Sequence, residues 1–181
     1  MSVSAPVDRS ERTADGPAYD YRQARAIHRI GRRIAATRLA ARLYPFIQMR
    51  SDRLVFRLSG GRVTLTSWVG GMPVVMLTTS GAKTGRPRTL PLLGVLDGDK
   101  VVLIASNYGR SWNPAWYHNL RAHPRASIAV QGRAQEVEAH ELNGAERDHY
   151  YQRAIAMYPG FQHYQAWAGT RRIPVVELLP V

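Results

Sequence analysis

The sequence predicts a small α+β barrel or sandwich, and three observations carry that prediction. From residue 72 onward, short apolar and β-branched runs recur between turn signals, as antiparallel strands require. Two or three helical segments interrupt those runs, which suits a mixed two-layer core. The chain has 181 residues, 45% of them hydrophobic, and shows neither an internal repeat nor a linker marking a second domain.

Taken in order, residues 1–20 are polar and carry acids, and read as a disordered lead-in without the apolar stretch of a secretory signal. This places the protein in the cytoplasm. Residues 21–71 form an N-terminal helical and connecting segment. Within it, 21–48 is a basic amphipathic helix with Ile27, Ile30, Ile34, Ala41 and Tyr44 near helical spacing, ended by Pro45. Residues 72–181 make up the core. Val74–Thr79 is a strand that stops at Ser80-Gly81. Thr89–Leu96 and Lys100–Ser106 flank Asp97-Gly98-Asp99 as a hairpin. Asn113-Pro114 is an N-cap with proline at the first helical position, opening a short helix through His123. Strands Ala126–Val130 and Ala134–Leu142 follow. Asn143 and Glu146 have the spacing of a capping box, for a helix that reaches about Tyr158 and stops at Pro159-Gly160. A short aromatic segment leads to a last strand, Ile173–Leu179.

Composition removes several chemistries. There is no cysteine, so disulfides, thiolate nucleophiles and iron–sulfur sites are out. The six histidines share no metal-ligand spacing, and no G-x-S-x-G elbow is present. Ser80–Gly85 resembles a P-loop only superficially, because Ala82 replaces the glycine before Lys83. The net charge is +12, and Arg22 to Arg57 include ten arginines against the single acid Asp52. Such a block serves a solvated helix face or, through residues 21–50, the surface of an anionic membrane. No nucleic-acid-binding motif accompanies it, and nucleic acid is not expected as a partner.

Three segments carry the remaining chemistry. Ser80-Gly81-Ala82-Lys83-Thr84-Gly85-Arg86-Pro87-Arg88 places three cations and a hydroxyl around a glycine turn, which suits a phosphate or carboxylate-rich group. Its two glycines are expected to present amide donors there. Ala105-Ser106-Asn107-Tyr108-Gly109 is a small-residue strand exit against which a flat ring can lie, with Trp116, Tyr117 and Asn119 as walls. Tyr158, Phe161 and Tyr164 recur at i, i+3 and i+6, on one face if that segment is helical. A basic hairpin and a set of core aromatics would leave the same traces.

In order and spacing, LTTSGAKTGRPRTLPL, IASNYGRSWNPAWYHNLRAHP, MYPGFQHYQAW and RRIPVVEL resemble the deazaflavin-dependent nitroreductase and quinone reductase family of actinobacteria. The resemblance covers about residues 72–179. It implies a split β-barrel and coenzyme F420, whose flavin-like ring carries a phosphate and an oligoglutamate tail. By this mapping Lys83 and Arg88, with Thr84 and Arg86, hold the tail. Pro91, Ala105, Ser106, Asn107, Tyr108, Trp116, Tyr117 and Asn119 surround the ring. Tyr158, Phe161 and Tyr164 line the acceptor side. The implied reaction is hydride transfer from the reduced coenzyme to a quinone-like or nitroaromatic acceptor, with Ser106, Tyr158 and Tyr164 as the catalytic residues. This sequence departs from the pattern at Ala82, where many members have a second cation. It departs also at Asn107, where the nitroreductase type has lysine, and at Phe161, which replaces a tyrosine. An FMN-dependent split-barrel reductase or oxidase, and a non-catalytic cofactor- or membrane-binding module, are the alternatives. Split barrels often pair, so a homodimer is expected.

Overall fold

The computed structural model describes residues 72–130 and 132–181. The lead-in and the basic helix expected over 1–71, with the membrane contact assigned to 21–50, lie outside the described residues. Among the described residues no helix is long and apolar enough to cross a membrane.

Among the described residues six strands and three α-helices follow one another as β1 (Val74–Ser80), β2 (Pro87–Asp97), β3 (Lys100–Ile104), α1 (Ala115–Ala122), β4 (Arg125–Val130), β5 (Arg133–Leu142), α2 (Gly144–Met157), α3 (Gly160–Trp167) and β6 (Val175–Pro180). The strands close into an antiparallel barrel in the order β1-β2-β3-β6-β5-β4. Closure decides between the two layouts the strand pattern allowed: β1 pairs with β4, Leu77 opposite Ile128, which leaves no open sheet edge. The β2–β3 hairpin turns tightly through Gly98-Asp99, with Asp97 paired to Lys100.

Alternation along the strands sorts side chains to two sides. Val75, Leu77, Val101, Leu103, Ile128, Val137, Val176 and Leu178 fill the barrel, and Trp116, Tyr117 and Leu120 of α1 close one end of it. The opposite faces of the same strands, through Val95, Val102, Ile104 and Val175, pack under α2 and α3 against Tyr150, Tyr151, Ala154, Met157, Phe161 and Tyr164. The site draws on this second, outer cluster and also on Leu90, Leu92 and Trp116 from the barrel side.

One helix start and one capping box differ from the sequence expectation, while α2 begins after Asn143 as expected. Pro114, in extended conformation, is the N-cap of α1, and its carbonyl accepts from the amides of Tyr117 and His118. Asn113 is drawn off instead, because its Oδ1 accepts a hydrogen bond from Arg171 Nη1 at 2.7 Å. The capping box of α2 does not form. Asn143 Nδ2 donates to the Glu141 carbonyl at 3.3 Å, and Glu146 turns 3.9 Å from Lys100 Nζ, where the cation competes for it.

Candidate functional site

A cavity of about 560 Å³ opens between the outer face of the barrel and the covering helices, within the range of small-molecule sites. Leu90, Pro91, Leu92 and Leu93 of β2 form one wall, and Met72 and Ile104 add to it. The strand exit contributes Ser106, Asn107 and Tyr108, and the segment before α1 contributes Trp112 and Asn113. The first turn of α1 supplies Pro114, Ala115, Trp116 and His118. Tyr158, Phe161 and Tyr164 complete the lining.

The strand exit is held in an unusual backbone. Asn107 and Tyr108 have φ of 47° and 56°, left-handed values that cost a non-glycine residue about 1–3 kcal/mol. Gly109 follows with φ 76°. A Cβ there would lie 3.0 Å from the Tyr164 carbonyl oxygen, so α3 can approach only glycine this closely. Asn107 Nδ2 donates to the Trp112 carbonyl at 2.9 Å, bracing the loop across its base. Trp112 itself is 58% exposed at the cavity edge, with the Arg110 guanidinium 5.4 Å from its ring centroid.

The three aromatics meet in the cavity wall, though not along a single helix. Phe161 and Tyr164 belong to α3, whereas Tyr158 is the extended residue that ends α2. Its ring folds back across the start of α3. A Cβ on Gly160 would fall 2.3 Å from Tyr158 Cε1, so a glycine at that position makes the fold-back possible. Tyr158 and Tyr164 bring their hydroxyls 3.3 Å apart, and Phe161 packs edge-on against both rings.

The basic turn between β1 and β2 is exposed. Among the described residues Lys83, Arg86 and Arg88 form no ion pair. Its amides differ from expectation. Those of Gly81, Thr84, Gly85 and Arg86 donate within the turn, and that of Ala82 donates to Asn119 Oδ1 at 3.0 Å. The turn therefore offers an anion its side-chain cations, with the Lys83 amide the one left over between Gly81 and Arg86 among the described residues.

Asn119 and Tyr117 do not line the cavity. Asn119 is a two-ended bridge, accepting from Ala82 and donating through Nδ2 to the buried Thr79 hydroxyl at 2.9 Å. It fastens the basic turn to the helix whose first turn walls the cavity. Tyr117 faces away and donates to Glu141 Oε2 at 2.7 Å. Burial, reinforced by that carboxylate, pushes its phenol up to about 12. Ala105 is wholly buried and contributes its carbonyl to a bond with Arg171. Of the sequence candidates, Pro91, Ser106, Asn107, Tyr108, Trp116, Tyr158, Phe161 and Tyr164 come together around the cavity. Lys83, Thr84 and Arg86 stand on the turn beside α1, and Arg88 stands at the start of β2 next to it.

Sequence reasoning missed Trp112, His118 and Arg171. The last lies 65 residues after Ser106 and reaches its carbonyl. Burial holds its guanidinium below the ordinary arginine range. Only the long-range pairing of β3 with β6 brings these segments together, and no local pattern in the sequence signals it.

A closed β-barrel with a largely apolar, phenol-bearing cavity, beside a turn whose cations form no ion pair among the described residues, suits a reductase of the flavin or deazaflavin type. The model of the F420H(2)-dependent quinone reductase family matches residues 48–180, and the chain belongs to that family. An F420H(2)-dependent quinone reductase of Mycobacterium tuberculosis is 33% identical over 132 residues, which cover 72% of this chain and 88% of that protein. The solved structure of an F420-H2 dependent reductase, FDR-A, is 36% identical with a TM-score of 0.55, covering 59% of this chain and 93% of that one. A second solved structure, a domain-swapped dimer, is 33% identical with a TM-score of 0.57, covering 70% of this chain and 94% of that one. The protein is thus an F420H2-dependent oxidoreductase. The residues present fit its coenzyme, because a flat ring suits an apolar cavity and a polyanionic tail suits three cations that form no ion pair among the described residues.

Proposed function

We propose that this reductase acts on a quinone. Pro91, Ser106, Asn107, Tyr108 and Trp116 hold the coenzyme ring, and Lys83 and Arg88, with Thr84 and Arg86, hold its anionic tail. When bound, the reduced deazaflavin supplies two electrons and a proton equivalent to the acceptor. The acceptor lies against Tyr158, Phe161 and Tyr164. As it is reduced, negative charge grows on a quinone oxygen, and the Ser106, Tyr158 and Tyr164 hydroxyls donate hydrogen bonds to that oxygen. Ala105 and Asn119 serve the site indirectly, through the strand exit and the basic turn.

The observation that carries this reading is the pair of hydroxyls, 3.3 Å apart, set in an otherwise largely apolar wall. A quinone needs one or two donors and a flat apolar slot. A nitroaromatic acceptor would gain from a cation at position 107, but Asn107 commits its amide to the Trp112 carbonyl. A homodimer is the proposed assembly, supported by the domain-swapped relative, and size-exclusion chromatography with light scattering tests it.

Steady-state oxidation of the reduced coenzyme, with a quinone and with a nitroaromatic compound, tests the assignment. Tyr158→Phe and Tyr164→Phe are each expected to lower kcat/KM for the quinone about tenfold or more. The nitro compound is expected to be the poorer acceptor in the wild type. Unchanged quinone turnover in the double variant would remove the phenols from the mechanism.

A further inference from the structure

The segment between α3 and β6 passes behind the strand exit and sends one side chain into it. Arg171 donates through Nη2 to the Ser106 carbonyl at 2.7 Å, and through Nη1 to the Ala105 carbonyl at 3.1 Å and Asn113 Oδ1 at 2.7 Å. Its Nε donates to the Arg110 carbonyl at 3.0 Å. All four acceptors fall between residues 105 and 113, and the left-handed Asn107 and Tyr108 lie inside that span. Among the described residues no carboxylate forms an ion pair with Arg171. Among the described residues its hydrogen bonds go to backbone and amide oxygens.

We propose that Arg171 is a positioning residue, which holds the 105–113 lip of the cavity in its binding conformation and so sets affinity for the coenzyme. Two physical arguments support it. A planar guanidinium presents several donors in fixed directions and can span four acceptors at once, whereas a lysine ammonium is a single point with three donors. The lip is also irregular backbone carrying two strained residues, which persist only where the surroundings over-determine them. A further effect travels through the peptide group. The cation on the Ser106 carbonyl polarises the Ser106–Asn107 peptide and makes the Asn107 amide a stronger donor. That amide has no hydrogen-bond partner among the described residues. The charge therefore matters in addition to the geometry.

This inference rests on the cavity being the coenzyme site, and the test separates the two ideas. Hydrogen exchange of the ligand-free protein is measured for wild type, Arg171→Ala and Arg171→Lys, together with coenzyme F420 titrations. Amides of 105–113 are expected to exchange about tenfold faster in both variants, with β1, β4 and β5 unchanged. Coenzyme Kd is expected to rise about tenfold in Arg171→Ala and less in Arg171→Lys. Guanidinium chloride below denaturing concentration should restore much of the affinity of Arg171→Ala, and equal urea, the neutral analogue of the same shape, should not. If Arg171→Ala does not fold, Arg171→Lys carries the exchange and affinity comparison alone. Unaltered exchange at 105–113, an acceleration spread evenly over the barrel, or an unchanged Kd would overturn the proposal. If the wild type bound no coenzyme, the assignment of the cavity would fall, and the exchange data would still decide whether Arg171 clamps the lip.

Discussion

The two sides of strands β2 and β3 face hydrophobic clusters of different character. Inside the barrel the strands contribute aliphatic side chains, with Leu77, Val102's neighbour Leu103, Ile128 and Leu178 almost fully buried, and α1 closes the end with Trp116 and Tyr117. Outside, under α2 and α3, four buried tyrosines and Phe161 join the aliphatic side chains, and a cavity remains beside Tyr158, Phe161 and Tyr164. Mostly aliphatic close packing holds the barrel, whereas aromatic packing with hydroxyls leaves room for a flat ligand. Alternation along a strand lets one stretch of chain build both, so stability and chemistry can be perturbed separately.

The sharpest way to break that separation is inside the barrel. Leu103→Ala is expected to cost about 3 kcal/mol, because it empties a fully enclosed site. Chemical denaturation should show the loss, while the protein that remains folded keeps its coenzyme affinity. A fall in affinity as large as the fall in stability would show that the two clusters are coupled.

Next in size is the basic turn. Lys83→Ala and Arg88→Ala should each weaken coenzyme binding about tenfold at low salt, and less at moderate salt, since exposed charges are screened. Both side chains are exposed and form no ion pair among the described residues, so thermal unfolding should be unmoved. A smaller effect is expected for Asn119→Ala, which frees the Ala82 amide and the Thr79 hydroxyl at once. It should lower stability by about 1 kcal/mol and coenzyme affinity several-fold, a mixture neither cation variant gives.

The smallest expected effect is alkaline. The Tyr117 and Tyr151 phenols are each held at about 12 rather than 10.0, chiefly by burial. A raised folded-state value stabilises the protein fully below about pH 10 and is lost as pH rises through 12. Melting temperature should therefore fall over that window, and Tyr117→Phe should flatten the fall. An identical slope in the variant would mean that Tyr117 is not buried as described.

Much of this arrangement was legible in the chain itself. The expected strand Val74–Thr79 is observed as Val74–Ser80, and the expected turn at Asp97-Gly98-Asp99 carries the β2–β3 hairpin. Local alternation and turn chemistry specify such features within a few residues. Barrel closure depends on β1 meeting β4, which no local pattern encodes. The α1 N-cap and the α2 capping box went astray for a related reason, because Asn113 and Glu146 take partners in Arg171 and Lys100 from elsewhere in the fold, while α2 still starts after Asn143 as expected. The aromatic trio was visible as a spacing of three. It becomes a wall because Gly160 leaves room for Tyr158 to fold back, which spacing alone does not express.

The central claim is that one cavity and one basic turn together bind a deazaflavin coenzyme. An equilibrium titration with coenzyme F420, FMN and FAD, at low and moderate salt, tests it most directly. The account predicts that F420 binds in preference to both flavins, with an affinity that weakens as salt rises. Tighter binding of FMN, or F420 binding indifferent to salt, would contradict it.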